Sequence, residues 1–213
     1  MKKLILSLAV VAFAVTSCKS EKKVETKEEV KVEKKVENPI NSYKVNVAES
    51  SIEWKGDKKV GDAHNGTINL EKGVFDVENG VVKAGEFVIN MNTISSTDLE
   101  GKMKNNLDGH LKAPDFFDVA KYPTAKFEVA SSELKEGKLE ITGNLTIKDV
   151  TKSITIPATL TENGNDITLK SDKFNIDRTD FNVKYGSGKF FDNLKDKTIN
   201  DLIELSFNLK AIK

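Results

Sequence analysis

Beyond residue 41 the chain alternates apolar and polar positions with a period of two, the signature of half-buried strands. Leu139, Ile141, Gly143, Leu145 and Ile147 share one side of such a run. Ile203, Leu205, Phe207, Leu209 and Ala211 do the same near the C-terminus, with Glu204, Ser206, Asn208 and Lys210 opposite. Phe87, Ile89 and Met91 alternate after Val81, and Ile154 and Ile156 alternate before Pro157. Turn-forming pairs separate these runs: Asn79-Gly80, Glu136-Gly137, Lys148-Asp149 and Asn163-Gly164. Strands joined by tight turns predict an all-β, antiparallel domain, either a sandwich or a closed barrel.

One segment departs from this period. Thr97-Asp98-Leu99-Glu100 has the form of a helix capping box, and Leu99, Met103, Leu107 and Leu111 follow at four-residue intervals. Pro114 ends the segment, so the spacing predicts one amphipathic helix over about 98–112. Gly101 and Gly109 each weaken it by about 1 kcal/mol relative to alanine, so it depends on packing against the strands. A β-domain with a single helix between strands suggests a barrel with a lid or plug near one end.

The N-terminus is of a different kind. Lys2 and Lys3 precede a twelve-residue stretch, Leu4 to Val15, that is apolar except for Ser7. It is too short for a comfortable transmembrane helix and fits an export signal. Val15-Thr16-Ser17-Cys18 then has the form of a bacterial lipobox. These features divide the chain into a lipoprotein signal peptide (1–17), a charged tether beginning at Cys18 (18–41) and a folded domain (42–213). Cys18 would carry the palmitate-type acyl anchor. In the tether, glutamate recurs at 21, 25, 29, 33 and 37 and lysine at 23, 27, 31 and 35. Those intervals would stack like charges in a helix. The segment therefore reads as a flexible solvated spacer reaching about 25–30 Å.

Composition sharpens this picture. The 33 basic and 33 acidic residues cancel over the whole chain, but the domain alone has 24 basic against 27 acidic, a slight acidic excess. That offers no basic footprint for nucleic acid. One cysteine excludes an intrachain disulfide and any thiolate cluster, and two histidines, His64 and His110, are a poor basis for a metal site. No cofactor or metal is expected. Gly186-Ser187-Gly188-Lys189 lacks the upstream glycine of a phosphate loop, and Phe190 stands where that loop needs Ser or Thr. Arg178, the only arginine, sits between Asp177 and Asp180. It suits a fork-shaped ion pair that pins a loop, with anchoring of a ligand head group as the alternative. Phe116, Phe117, Phe181, Tyr185, Phe190 and Phe191 place aromatic rings in irregular segments, where they serve either to roof a pocket or to fill a small core.

Three stretches taken in order carry a resemblance. They are Leu107-Asp108-Gly109-His110-Leu111-Lys112-Ala113-Pro114-Asp115-Phe116-Phe117-Asp118 leading to Tyr122-Pro123-Thr124-Ala125-Lys126-Phe127; Gly143-Asn144-Leu145-Thr146-Ile147-Lys148-Asp149-Val150-Thr151-Lys152; and Asp177-Arg178-Thr179-Asp180-Phe181-Asn182-Val183. Together they resemble the YceI-like family of bacterial lipid- or polyisoprenoid-binding proteins, over about Tyr43 to Ile212. Asn182 is a departure, since glycine is frequent there in the family.

The resemblance implies a lipocalin-like barrel of about eight strands, a size that holds one small ligand. The alternation agrees, since apolar inward residues would line its cavity and small ones such as Gly143 would leave it room. It implies a non-enzymatic protein that sequesters or carries an isoprenoid or fatty-acid-like chain. The expected ligand contacts are Phe87, Ile89, Met103, Leu107, His110, Phe116, Phe117, Leu145, Arg178, Phe181 and Tyr185. The expected location is the cell envelope, on the periplasmic side or at the outer membrane. Oligomeric state stays open, a homodimer being one form the resemblance allows. An enzyme acting on a lipid or quinone-like substrate, and an envelope protein whose barrel is filled by its own side chains, stand as alternatives.

Overall fold

The computed structural model describes residues 23–32 and 42–213. The signal segment 1–17 and Cys18 lie outside the described residues. Ten strands occur in the order β1 (Ser42–Val45), β2 (Ser51–Asp57), β3 (Ala63–Glu78), β4 (Val81–Ser96), β5 (Thr124–Lys135), β6 (Lys138–Ile147), β7 (Val150–Asn163), β8 (Asp166–Ser171), β9 (Phe174–Asp177) and β10 (Leu202–Ile212), with one helix, α1 (Gly101–Lys112), between β4 and β5.

All strand pairs are antiparallel, and eight strands form a ring in the order β10-β2-β3-β4-β5-β6-β7-β8 that returns to β10. The expected barrel with one helix is the fold, and the sandwich is excluded by that closure. Tight turns set the hairpins. Asn79-Gly80, Glu136-Gly137 and Lys148-Asp149 have positive φ at both residues, the twist that two-residue hairpins favour. In the β7–β8 turn the motif is shifted by one residue, with Gly164 at φ 64° leading.

Closure is divided along β10. Its C-terminal half, Asn208–Ile212, pairs with β8, and its N-terminal part, Leu202–Leu205, pairs with β9. On the far side, β8 pairs only with Ala158–Asn163 of β7. Residues Val150–Ile156 of β7 therefore face β9 across a seam, with β6 on their other side, while the Pro157 carbonyl still accepts from the Asp172 amide at 3.0 Å. Residues 23–32 lie here. The Val24 amide donates to the Asn175 carbonyl (2.8 Å), and Lys27 and Ser153 exchange backbone hydrogen bonds of 2.9 and 3.0 Å. For these residues the expectation of a solvated spacer is corrected. The reason is that unpaired strand edges demand backbone partners, which like-charge helix spacing does not reveal.

The core follows the alternation. Rings from Tyr43, Phe75, Phe87 and Phe127 stack in sequence at centroid distances of 5.9, 5.8 and 6.5 Å. Gly143 belongs to this packing and does not enlarge the cavity: a Cβ there would lie 2.6 Å from the Phe127 ring and 2.4 Å from the Glu128 carbonyl. That corrects the expectation that it leaves room for ligand.

The helix begins three residues later than the sequence predicts. Glu100, not Thr97, is the N-cap, and it caps with no side-chain bond. Thr97 and Asp98 are engaged elsewhere. The Asn65 side-chain amide donates to Thr97 Oγ1 (3.0 Å), while Asp98 holds His64 Nδ1 at 2.8 Å and accepts from the Asn65 amide at 3.2 Å. The helix is tied down by Asp108, which accepts from the Ser96 amide (2.7 Å) and Ser95 hydroxyl (2.8 Å) and pairs with Lys104 at 3.0 Å. Burial works to raise the Asp108 pKa, but the Ser96 amide, Lys104 and Ser95 outweigh it and hold the carboxyl at about 2.

Two outcomes follow from these contacts. We expect Gly143→Ala to destabilise the domain by about 2–3 kcal/mol, while Gly109→Ala, where a Cβ meets nothing within 4 Å, stabilises it by about 0.5–1 kcal/mol; urea unfolding reads both signs. A carboxyl whose folded pKa is depressed adds stability that is full above its unfolded pKa and is lost as pH falls through the folded one. Asp108→Asn is therefore expected to cost about 2 kcal/mol at pH 7 and distinctly less at pH 2, again by urea titration.

Candidate ligand cavity

The inward parity of the ring strands surrounds an internal cavity of about 170 Å³. One water needs only about 10–15 Å³ on this measure, and cavities lined by aliphatic and aromatic groups stay dry. Each strand supplies its share by alternation: Ile52 and Trp54 from β2, Ile68 and Leu70 from β3, Phe87 and Ile89 from β4, Phe127 and Val129 from β5, Ile141 and Leu145 from β6, Ile154 and Ile156 from β7, and Ile203 to Leu209 from β10. Phe174 and Ile176 of β9 complete the wall, and Phe116, Phe117 and Phe181 enter from the connections. Among the lining side chains only Trp54, Arg178, Asn200 and Ser206 carry polar atoms. Nε1 of Trp54 is buried without a hydrogen-bond partner among the described residues.

Of the residues named from sequence, Phe87, Ile89, Phe116, Phe117, Leu145, Arg178 and Phe181 line this cavity. Met103, Leu107, His110 and Tyr185, also expected as ligand contacts, are not part of its wall. Met103 is 65% exposed. At 3.6 residues per turn, a strict four-residue spacing drifts by about 40° per step, so only the later part of the stripe stays on the covered face. Leu111 is buried there, and Leu107 packs partly against the same cluster. His110 sits outside the wall, edge-on to Tyr185 at 4.5 Å and to Phe116 at 5.6 Å, with Asp115 at 3.6 Å. Tyr185 itself is 41% exposed. His64 is occupied with Asp98 near the start of β3. Phe190 and Phe191 are also exposed rather than roofing the cavity.

Arg178 is 1% exposed and acts as a structural fork. Its Nε donates to the Asn200 carbonyl (3.0 Å), Nη1 to Val183 (2.7 Å) and Nη2 to Ile199 (3.1 Å). Its carboxylate neighbour is Asp201, 3.5 Å away, and not either flanking acid. Burial pulls its pKa down, partly offset by the charges of Asp201 and Asp177. Asp177 instead caps the single 3-10 turn Arg178–Phe181, accepting from the Thr179 amide (3.0 Å) and hydroxyl (2.6 Å), and holds Lys189 at 2.6 Å and Lys23 at 3.1 Å. Burial opposes ionisation of Asp177, but Lys189, Thr179 and Lys23 hold its carboxyl well below the usual range. That turn ends on Asn182 in the left-handed region (φ 60°, ψ 20°), where asparagine does the work of the glycine frequent in the resembled family. Lys189 of the glycine-flanked loop is thus spent on Asp177 and Asp201.

Much of the remaining lining, such as Ile154, Ile156, Leu205 and Phe207, belongs to the alternating faces legible in the sequence, though none of it was among the expected ligand contacts. Trp54 and Phe174 had no such flag. Their strands are short or interrupted, which hides the alternation.

Known proteins share this architecture. The crystal structure of BcnA from Burkholderia cenocepacia superposes with a TM-score of 0.58 at 24% identity, covering 78% of this chain and 98% of that one. A polyisoprenoid binding domain from Saccharophagus degradans, implicated in plant cell wall breakdown, superposes with a TM-score of 0.59 at 13% identity over 81% and 98%. In sequence, a UPF0312 protein of Pseudomonas paraeruginosa is 38% identical and the protein YceI of Salmonella arizonae 36% identical, each over 92 residues. Those matches span 43% of this chain and 45%, less than half, of each curated relative. The profile of the YceI-like domain matches residues 43–211, nearly the whole barrel, and the chain belongs to that family.

Proposed function

We propose that this protein binds a long apolar chain, of the isoprenoid or fatty-acid-like kind, inside its barrel and sequesters or carries it without chemical change. The observation that carries this reading is the cavity of about 170 Å³ inside the barrel, with an almost wholly apolar wall. Affinity would come from burial, at about 2.5 kcal/mol for each 100 Å² of apolar surface removed from water, less the cost of association. The cavity favours a carrier over a barrel filled by its own side chains. A lipid-modifying enzyme has less support, because neither His64 nor His110 reaches the wall and Arg178 is committed to three carbonyls. In this reading Cys18 is acylated after export, and the anchor keeps the carrier at the cell envelope, beside the membrane from which its ligand comes.

Native mass spectrometry of protein purified without detergent should find a co-purified hydrophobic molecule, or uptake of one prenyl or fatty chain per delipidated protein; no mass increment in either case would contradict the carrier. Leu145→Trp, which adds an indole to the wall, is expected to weaken displacement of a fluorescent fatty acid about tenfold or more while circular dichroism stays unchanged.

A further inference from the structure

We infer that the seam between β7 and β9 is the doorway to the cavity, and that residues 23–30 form a removable strap across it. This rests on the cavity-binding reading above. On the β5 side Met91–Ser96 of β4 lack a strand partner and α1 packs there, whereas at the β7–β9 seam the two banks are joined by this segment. Both banks also line the cavity: Ile154 and Ile156 on β7, Phe174 and Ile176 on β9. Parting them therefore opens the cavity sideways along its length, which suits a long chain better than threading through one end.

The strap is held mainly by hydrogen bonds and ion pairs, among them Glu28 with Lys152 at 3.1 Å and Lys23 with Asp180 at 3.5 Å. Val24 donates to Asn175, Lys27 exchanges two bonds with Ser153, and the side-chain amide of Asn144 exchanges two with Val30 (3.0 and 2.7 Å). Thr26 Oγ1 donates to Asp180 (2.5 Å), and Lys23 pairs with Asp177. The Val24 side chain packs against the core, so it is the stopper of the strap. Asn144 and Ser153 stand directly opposite each other on β6 and β7, on the outward parity that elsewhere meets solvent. They are nevertheless only 1% and 3% exposed, because the strap covers them. Both are small polar groups that rehydrate on release, so opening leaves no buried orphan.

Position along the chain adds a second argument. Lys23 is five residues after Cys18. At about 3.3–3.6 Å per residue, an anchor on that cysteine is held within about 18 Å of the seam. The strap thus turns the doorway toward the surface to which such an anchor would tie the chain.

The test uses the full chain carrying Cys18→Ser, so that the only thiols are introduced ones. With Lys27→Cys and Ser153→Cys, oxidation staples the strap to β7 and reduction frees it. Uptake of a dansyl-labelled undecanoic acid, followed by fluorescence, is expected to be at least tenfold slower in the oxidised than in the reduced form. Thr26→Ala with Asn144→Ala, which needs no new bond, should load about tenfold faster than the Cys18→Ser parent. Equal loading rates with and without the staple, or in the Thr26/Asn144 variant and its parent, would overturn the doorway while leaving the cavity reading intact. No uptake by any form, the parent included, would overturn both.

Discussion

Everything in this molecule depends on how the last strand closes the ring. β10 lies between β2 on one side and β8 with β9 on the other. Without that closure the inward residues of β2 to β8 would form one face of an open sheet, and their apolar surface would be exposed instead of enclosing a space. Because the closing partner is split into β8 and β9, the ring also acquires a seam beside β7. The cavity and the seam are two consequences of the same pairing.

The polar groups around the cavity serve the wall. A guanidinium that is almost fully buried normally needs a carboxylate partner. Arg178 is instead satisfied chiefly by the carbonyls of Val183, Ile199 and Asn200, with Asp201 at longer range. It thereby ties the turn after β9 to the segment that enters β10, on one bank of the seam. Asp177, itself buried, does a related task, collecting Thr179, Lys189 and Lys23 around one carboxylate. The rigid side of the seam is made of this network, and the removable side is made of short-range bonds to the strap. Apart from the unpartnered Nε1 of Trp54, the wall offers a ligand mainly shape and apolar area.

How far the sequence foretold this varies by element. β6 and β10 were readable because each presents unbroken alternation, and the turns at Asn79-Gly80 and Glu136-Gly137 because their residue types suit positive φ. The helix was recognised, and Leu107 and Leu111 do face the core, but its start and the first part of its stripe were not where the spacing put them. Thr97 and Asp98 found partners on β3, and a four-residue leucine spacing drifts around the cylinder, which left Met103 in solvent. Arg178 was rightly read as pinning a loop, yet its partners came from residues 183–201, a pairing that only the tertiary fold brings together. The strap was unreadable for a related reason. Residues 23–32 have no apolar period of their own, and their structure is dictated by an unpaired edge more than a hundred residues away.

The central claim is that the barrel encloses a dry cavity occupied by a long apolar chain. A crystal structure of the protein purified without detergent tests it most directly. The account predicts continuous, unbranched density running between Phe116, Leu145, Ile154 and Phe181. A barrel interior collapsed onto its own side chains, or filled by a file of ordered water, would contradict it.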